Sequence, residues 1–231
     1  MYTYLIIVLV PIFPTRSEQM PPIAQEIDPH PKSLNNITLS NLLQSSSTSI
    51  EKFLASDLSG ITAPVAARLA TTLGISQRPA RSLQAAQVAA LIQALRDERQ
   101  IKPPSAQCLS PAGEYNMRLG VMKELKPKMV ATFSDKSGAH EGHPFLVEAA
   151  VSLGGTQVRE GINVYRFANR IPLLFEAGAD VVTQVASKRI NWNSYHIDPK
   201  KDNIGVYVSI GMSLPTTECL LIYRVAYVCY I

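Results

Sequence analysis

The fold is decided between residues 143 and 203, in three segments that read HPFLVEAAVSLGG (143–155), INVYRFANRIPLLFEAGADVV (162–182) and KRINWNSYHIDPKKDN (188–203). In the first segment, the odd positions from Phe145 to Leu153 are apolar and share one face. That period of two predicts a β-strand, and the pair Gly154-Gly155 predicts a turn at its end. Glu148 lies on the opposite face, where it is a candidate buried acid.

The other two segments predict a second strand, a helix and a last strand. The second strand spans about residues 162–171 and is stopped by Pro172, which has no N–H to give to a ladder. Helical spacing follows in ADVVTQVASKRI (179–190), with an apolar face at Val181, Val182, Val185 and Ile190, and a strand is predicted over 204–210. The order β-β-α-β predicts an α+β chain whose second part is a two-layer α/β sandwich.

Isolated polar residues in this region allow two interpretations each. Period two places Arg166 and Arg170 on one strand face, where they suit a phosphate or a salt bridge to Glu148 or Asp180. The pattern His-Glu-Gly-His over 140–143 suggests a metal site, but its glycine and the following proline disfavour the helix that would bring the histidines together. No nucleophile motif and no pair of carboxylates suggests catalysis.

The composition is that of a folded protein, with 46% of the 231 residues hydrophobic and 17% charged. A net charge of +4 permits nucleic-acid binding without requiring it. The three cysteines, Cys108, Cys219 and Cys229, have neither metal-type nor redox-type spacing. They are predicted to be free thiols in a reducing compartment.

Both ends of the chain are apolar, reading MYTYLIIVLVPIF (1–13) and CLLIYRVAYVCYI (219–231). The first run lacks the basic residue and the small-residue cleavage site of a signal peptide, and it is too short to cross a bilayer. We expect truncation or a gene-model error at both ends, with membrane-touching termini as the alternative. No membrane partner is expected.

Four helices are predicted before residue 100: one near 37–44, one near 49–58, one that Thr62 caps and Gly74 ends, and one after Ser82. The fourth carries an i, i+3, i+4, i+7 stripe at Val88, Leu91, Ile92 and Leu95. The turn before it displays Arg78 and Arg81 beside a helix N-terminus, which suits a phosphate. An ordinary solvated turn is the alternative.

A fifth helix is predicted after Ser110, with Ser110 as its N-cap and Pro111 in its first position. Tyr115, Leu119 and Met122 would form its apolar face, and it would end before Lys126-Pro127. It would be a rigid strut between the helical part and the sheet.

Three stretches together resemble the transducer region of the DNA topoisomerase VI B subunit, in its plant and algal versions: Gly142-His143-Pro144-Phe145, Tyr165-Arg166-Phe167-Ala168-Asn169-Arg170-Ile171-Pro172-Leu173-Leu174 and Asn191-Trp192-Asn193-Ser194-Tyr195. Residues 48–99 are similar to that family's helix-two-turns-helix domain. The resemblance implies a division into an unmatched apolar N-terminus (1–22), a linker (23–47), a helix-two-turns-helix domain (48–108), a linking helix (109–128), a partial transducer domain (129–212) and an unmatched apolar C-terminus (213–231).

The resemblance also implies a DNA contact. Trp192 to Tyr195 corresponds to a Trp-Lys-x-Tyr element that contacts DNA in the family, with Asn193 in place of its lysine. Nearby cations can compensate, because attraction to the DNA backbone requires charge more than a fixed position. The DNA-binding residues expected from spacing and resemblance are Arg78, Arg81, Lys188, Arg189, Trp192, Asn193, Tyr195, Lys200 and Lys201. Alternatively, Trp192 and Tyr195 hold the helix end in the core.

The resemblance implies ATP and magnesium as cofactors of the full-length family, but the motifs that hold them do not occur in this chain, so no cofactor, no metal and no ATP hydrolysis are expected here. The implied partners are double-stranded DNA and the topoisomerase VI A subunit, in a nucleus. The expected function is duplex binding and coupling of ATP-driven dimerisation to strand passage. The alternatives are a protein-interaction module and an incomplete gene product without activity of its own.

Overall fold

A computed structural model describes residues 19–173 and 180–213. Both apolar terminal runs lie outside the described residues, as do Cys219 and Cys229. The helices are α1 (Asn36–Ser45), α2 (Ile50–Ser56), α3 (Ala63–Thr72), α4 (Ala85–Asp97), α5 (Glu114–Leu125) and α6 (Val181–Gln184). No helix within the described ranges combines the length and the apolar character that a membrane crossing requires.

The first four helices enclose one apolar core, to which Leu39 and Leu43 of α1 belong. The stripe of α4 is buried along its whole length, and Leu91 and Leu95 have no exposed surface. Phe53 of α2 and Leu69 of α3 pack in the same cluster. Complete burial of a leucine side chain stabilises a fold by about 1.5–3 kcal/mol, so this stripe holds α4 in place.

The helix starts follow local signals. Asn35 caps α1, because its Oδ1 accepts from the N–H of Thr38 at 2.8 Å. Thr62 occupies the predicted N-cap position of α3, although its side chain makes no capping hydrogen bond. Gly74 follows the end of α3 with φ +64°, a left-handed conformation that a residue without Cβ adopts readily.

In the second part of the described chain, six strands form one mixed sheet: β1 (Met129–Ser134), β2 (Gly138–His140), β3 (His143–Leu153), β4 (Gly161–Ala168), β5 (Ile171–Pro172) and β6 (Asn203–Met212). The spatial order is β1-β3-β6-β4-β5, with β2 paired to β3. Strand β3 is antiparallel to β6, whereas β4 is parallel to β6. The predicted strands near 143, 162 and 204 are confirmed, and so is the α+β class.

The sheet is covered on both faces. The odd residues of β3 pack against a cluster that contains Ala186 and Trp192. On the other face, Ala150 and Tyr207 pack against Val121 of α5. The linking helix is therefore part of the sheet's core, because it covers the face opposite α6.

The second strand is shorter than predicted. It ends at Ala168, and Asn169 (φ +47°) and Arg170 (φ +68°) form a turn into the edge strand β5. Two successive left-handed residues reverse the chain. The prediction that Arg166 and Arg170 share a strand face is therefore wrong.

The start and the apolar face of α5 also differ from the prediction. The helix begins at Glu114 after Gly113, whose φ of +84° breaks the helix that Ser110 was predicted to cap. Its inner face carries Met117, Val121 and Leu125. The predicted face is wrong, since Tyr115 and Met122 are 47% and 49% exposed. The helix ends at Leu125, as predicted.

The helix predicted over 179–190 is divided. Helix α6 gives way to a π-helical turn, Val185–Arg189, and Ile190 is extended and 36% exposed. Ala186, and not Ile190, is the buried residue of this segment. Residues 174–179, where the segment starts, lie outside the described part of the chain.

Candidate nucleic-acid interface

Arg78 and Arg81 lie in the turn between α3 and α4, and both side chains are exposed. Two backbone hydrogen bonds hold this turn to the start of α2. The N–H of Ile50 donates to the Arg78 carbonyl at 2.9 Å, and the N–H of Ala80 donates to the Thr48 carbonyl at 2.9 Å. Ile75 is buried at the base of the turn. The two guanidinium groups are thus carried on a fixed backbone.

A second basic segment covers the odd-numbered face of β3 and runs from Lys188 to Lys201. Trp192 is buried within it, and its Nε1–H donates to the Ala186 carbonyl at 2.7 Å. The indole joins the π-helical turn to the following 3-10 turn, Trp192–Tyr195. Its place in the core agrees with the interpretation that Trp192 holds the helix end.

The candidate DNA-binding residues on either side of Trp192 face solvent, whereas Ile197 packs against the same core cluster as Trp192. Lys188, Arg189 and Asn193 are exposed, and Tyr195 is 68% exposed. The 3-10 turn ends at His196, which adopts a left-handed conformation (φ +59°). The phenol of Tyr195 and the two cations therefore stand on the same surface segment as the amide of Asn193.

Lys200 and Lys201 follow in a turn that two aspartates close. The N–H of Lys200 donates to Asp198 Oδ1 at 2.9 Å, and the N–H of Asp198 donates to Asp202 Oδ2 at 2.7 Å. The Lys201 ammonium lies 3.9 Å from Asp198 Oδ2 and is 85% exposed. An exposed pair at that distance contributes little stability, so the ammonium is available to another anion.

Arg166 does not belong to this surface. It forms a buried ion pair with Asp180, with Nη1 2.9 Å from Oδ2 and each side chain 5% exposed. Asp180 also accepts from the N–H and hydroxyl of Thr183, at 2.9 and 2.7 Å, and so caps α6. The salt bridge to Asp180, one of the two predicted alternatives, is present.

Glu148 has a structural role that sequence reasoning missed. Its carboxylate accepts from the N–H groups of Ala112 and Gly113, at 2.9 and 2.6 Å, and therefore caps α5 from a neighbouring strand. Arg170 donates to the Ser110 carbonyl and hydroxyl at 2.7 Å each. The carboxylate of Glu148 on an otherwise apolar strand indicated a buried acid. Its hydrogen-bond partners could not be predicted, because they are 36 and 35 residues away in sequence.

The His-Glu-Gly-His pattern forms a hairpin turn. Glu141 (φ +47°) and Gly142 (φ +83°) connect β2 to β3, and His140 pairs with His143 across the ladder. His143 Nδ1 lies 3.1 Å from Ser213 Oγ. Within residues 19–173 and 180–213, no three His, Cys, Asp or Glu side chains are grouped to hold a metal ion. Cys108 is a free thiol, whose pKa burial raises.

These features define the class of the chain as an α+β protein. A small helical core is followed by a linker, one helix and a mixed sheet, and exposed cations lie on two segments. Residues 104–215 match the family model described as topoisomerase VI B subunit, transducer. The chain is a partial homologue of the topoisomerase VI B subunit that carries the transducer region.

Three relatives show how far the similarity extends. The B subunit of DNA topoisomerase 6 from Arabidopsis thaliana is 49% identical over 201 residues, which are 86% of this chain and 30% of the relative. The rice protein of the same name (Oryza sativa subsp. indica) is 43% identical over 202 residues, 86% of this chain and 29% of the relative. The B subunit of type 2 DNA topoisomerase 6 from Metallosphaera sedula is 28% identical over 205 residues, 87% of this chain and 38% of the relative. The chain thus spans about a third of the length of these curated relatives.

Proposed function

We propose that this chain binds duplex DNA without sequence preference and links that contact to the transducer sheet, as one part of the B subunit of a type IIB topoisomerase. The observation that carries the proposal is the exposure of cations on two backbone-fixed segments, Arg78–Arg81 and Lys188–Lys201. The relatives are named DNA topoisomerases, which agrees with a DNA partner. By the same similarity, we propose a nuclear location and the topoisomerase VI A subunit as a partner in the complete assembly.

Each part of the surface has a distinct role in this proposal. The guanidinium groups of Arg78 and Arg81 contact phosphates from the helical turn, and the ammonium groups of Lys188, Lys200 and Lys201 do so from the sheet side. Trp192 acts indirectly, since its buried indole positions the segment that carries Asn193 and Tyr195. Such contacts neutralise backbone charge and carry no base information.

The salt dependence of duplex binding tests the proposal. Each neutralised phosphate contributes a slope of about −0.9 to the plot of log affinity against log salt. Replacing Arg78 and Arg81 together by Ala should flatten the slope by about two units and weaken all sequences alike. The charge-matched control is the double variant Arg118→Ala with Arg159→Ala, which removes two exposed arginines outside the proposed surface.

Asn193→Lys adds a gain-of-function arm. Restoring a cation on this segment should strengthen duplex binding and steepen the slope by about one unit. Fluorescence anisotropy of a short labelled duplex at several salt concentrations measures all variants. A wild-type slope indistinguishable from zero, or equal slopes for the Arg78/Arg81 double variant and the control, contradicts DNA binding by this surface.

A second candidate function is a protein-interaction module. One observation favours it: an apolar groove of about 430 Å³ lies between α5 and the sheet, lined by Met117, Val121, Leu125, Tyr165 and Phe167 among others. Absent DNA binding in the anisotropy experiment, together with a folded protein, would favour this function over the first.

A further inference from the structure

The end of α5 and the turn after β3 enclose an open cleft of about 510 Å³. Among the residues that the structure describes, its lining includes three lysines, Lys126, Lys128 and Lys201, and one acidic residue, Asp202. Lys126 and Lys128 are far from Lys201 in the sequence, so only the folded sheet brings them to one place. No pattern in the sequence groups these three residues.

Backbone hydrogen bonds fix the walls of the cleft. The N–H of Lys128 donates to the Leu153 carbonyl at 2.9 Å, which ties the chain after α5 to the end of β3. The N–H of Gly154 donates to the Asn203 backbone carbonyl at 2.8 Å, and the side-chain Nδ2 of Asn203 donates to the Gly155 carbonyl at 3.3 Å. The lysines are therefore carried by backbone segments of fixed separation.

The floor of the cleft requires glycine. Gly155 has φ +111°, and a Cβ on it would lie 2.6 Å from the Leu125 carbonyl oxygen. Without side chains, Gly154 and Gly155 let the turn approach the end of α5. Among the residues that the structure describes, no acceptor pairs with the N–H groups of Gly155 and Thr156. These two amides are donors beside the lysine side chains.

The charge balance of the cleft is positive. The Asp202 carboxylate already accepts from the N–H of Asp198 at 2.7 Å, and Lys201 has only its 3.9 Å pair with Asp198. The C-terminal end of α5 adds a partial negative charge of about half an elementary charge. Three ammonium groups against the carboxylates of Asp202 and Asp198 and that partial charge leave an excess of about half a positive charge.

We propose that this cleft binds a phosphate group. Ammonium groups and free backbone amides at a glycine turn are the donors that recognise phosphate oxygens. The source of the phosphate is either a DNA backbone, which rests on the proposed function, or a free phosphate compound, which does not. Lys201 connects the two surfaces, because it belongs to the exposed basic segment and also lines the cleft.

The test follows the backbone amides of the full chain by ¹⁵N–¹H NMR in chloride buffer. One arm titrates inorganic pyrophosphate, and the other titrates a short DNA duplex. The cleft variant carries Lys126→Gln and Lys128→Gln. Its charge-matched control carries Lys52→Gln and Lys136→Gln, two exposed lysines on α2 and on the β1–β2 connection.

We expect pyrophosphate to shift the Gly155 and Thr156 amides saturably in the wild-type chain. The apparent Kd should rise about five- to tenfold in the cleft variant and stay unchanged in the control. The wild-type titration tests phosphate binding by the cleft even if a variant fails to fold. If the duplex shifts the same amides, DNA is the source; if only pyrophosphate does, the cleft takes a free phosphate compound. No saturable shift in either arm, or an equal rise of Kd in the cleft variant and the control, overturns the proposal.

Discussion

Replacing Glu148 tests the contact by which the sheet holds the linking helix. The Glu148 side chain is 1% exposed and accepts two backbone hydrogen bonds, from Ala112 at 2.9 Å and Gly113 at 2.6 Å. Hydrogen bonds to a charged acceptor contribute about 1.5–3 kcal/mol each, and a buried N–H left without an acceptor costs about 1–3 kcal/mol. The carboxylate also lies at the N-terminus of α5, where the helix dipole favours negative charge.

Two substitutions separate these effects. Glu148→Gln keeps one acceptor oxygen but turns an NH₂ group toward one donor and removes the charge, so we expect a loss of about 1.5–3 kcal/mol in unfolding free energy. Glu148→Ala removes both acceptors and leaves a small cavity, so we expect about 3–5 kcal/mol. Glu124→Gln is the control, because Glu124 is exposed on the same helix, and a surface change of this kind stays within about 0.5 kcal/mol.

Urea denaturation measures the global loss, and amide hydrogen exchange localises it. A local loss of about 2 kcal/mol should accelerate exchange at Ala112 and Gly113 roughly thirtyfold, while amides of α1–α4 stay unchanged. If Glu148→Gln costs less than about 0.5 kcal/mol and exchange at the helix start is unaltered, the carboxylate is not the cap and the reasoning fails.

Three further perturbations follow from buried groups. Asp180→Asn should cost about 3–5 kcal/mol in urea denaturation, because it removes the carboxylate charge that lies 2.9 Å from the buried Arg166 guanidinium; a cost below about 1 kcal/mol contradicts this. Burial lowers the pKa of His30, so its neutral form is favoured in the folded state. The unfolding free energy should therefore fall as pH drops below about 6.5, and His30→Gln should flatten that dependence; an unchanged pH dependence in this variant contradicts the assignment to His30. Gly205→Ala should destabilise by about 1–3 kcal/mol, since a Cβ there overlaps buried hydroxyl groups of β3 and β6; thermal melting should show no loss for Gly120→Ala, where nothing lies within 4 Å.

Local patterns predicted the elements whose partners are near in sequence. The stripe of α4 was predictable, because burial of Val88, Leu91, Ile92 and Leu95 follows from helical spacing alone. The alternation of β3 likewise predicted a strand with two distinct faces. In both elements the periodicity is uninterrupted, and the surrounding core does not override it.

The errors occurred where a distant residue decides the local structure. Ser110 followed by proline is typical of a helix start, but the left-handed Gly113 and the carboxylate of Glu148 move that start to Glu114. A period of two that continues to Ile171 hid the turn at Asn169 and Arg170, because neither residue is a glycine. The lysine cleft could not be predicted from the sequence, because Lys126 and Lys128 are far from Lys201 along the chain. The three residues come together only when β3 and β6 pair.

The arrangement of the apolar cores explains why these polar contacts matter for the proposed coupling. Among the described residues, one core cluster runs from Leu34 to Ile101, and the others contain only residues from Met117 onward. None of these clusters joins the helical core to the sheet. Hydrogen bonds tie the linker to the sheet, since Arg170 donates to Ser110 and Glu148 accepts from Gly113. The β2–β3 turn also lies against the segment that enters the helical core, because a Cβ on Gly142 would be 2.6 Å from the backbone nitrogen of Ser33.

Polar connections of this kind respond to substitution differently from an apolar core. In the proposed function, the linker transmits position from the helical turn to the sheet, so loss of one of its hydrogen bonds should weaken that coupling while the apolar packing of both cores is kept. In the proposed function, Glu148→Gln should therefore separate DNA binding from coupling. The duplex affinity carried by Arg78 and Arg81 should persist, because their turn is held by α2, while the protection of the α5 start is lost.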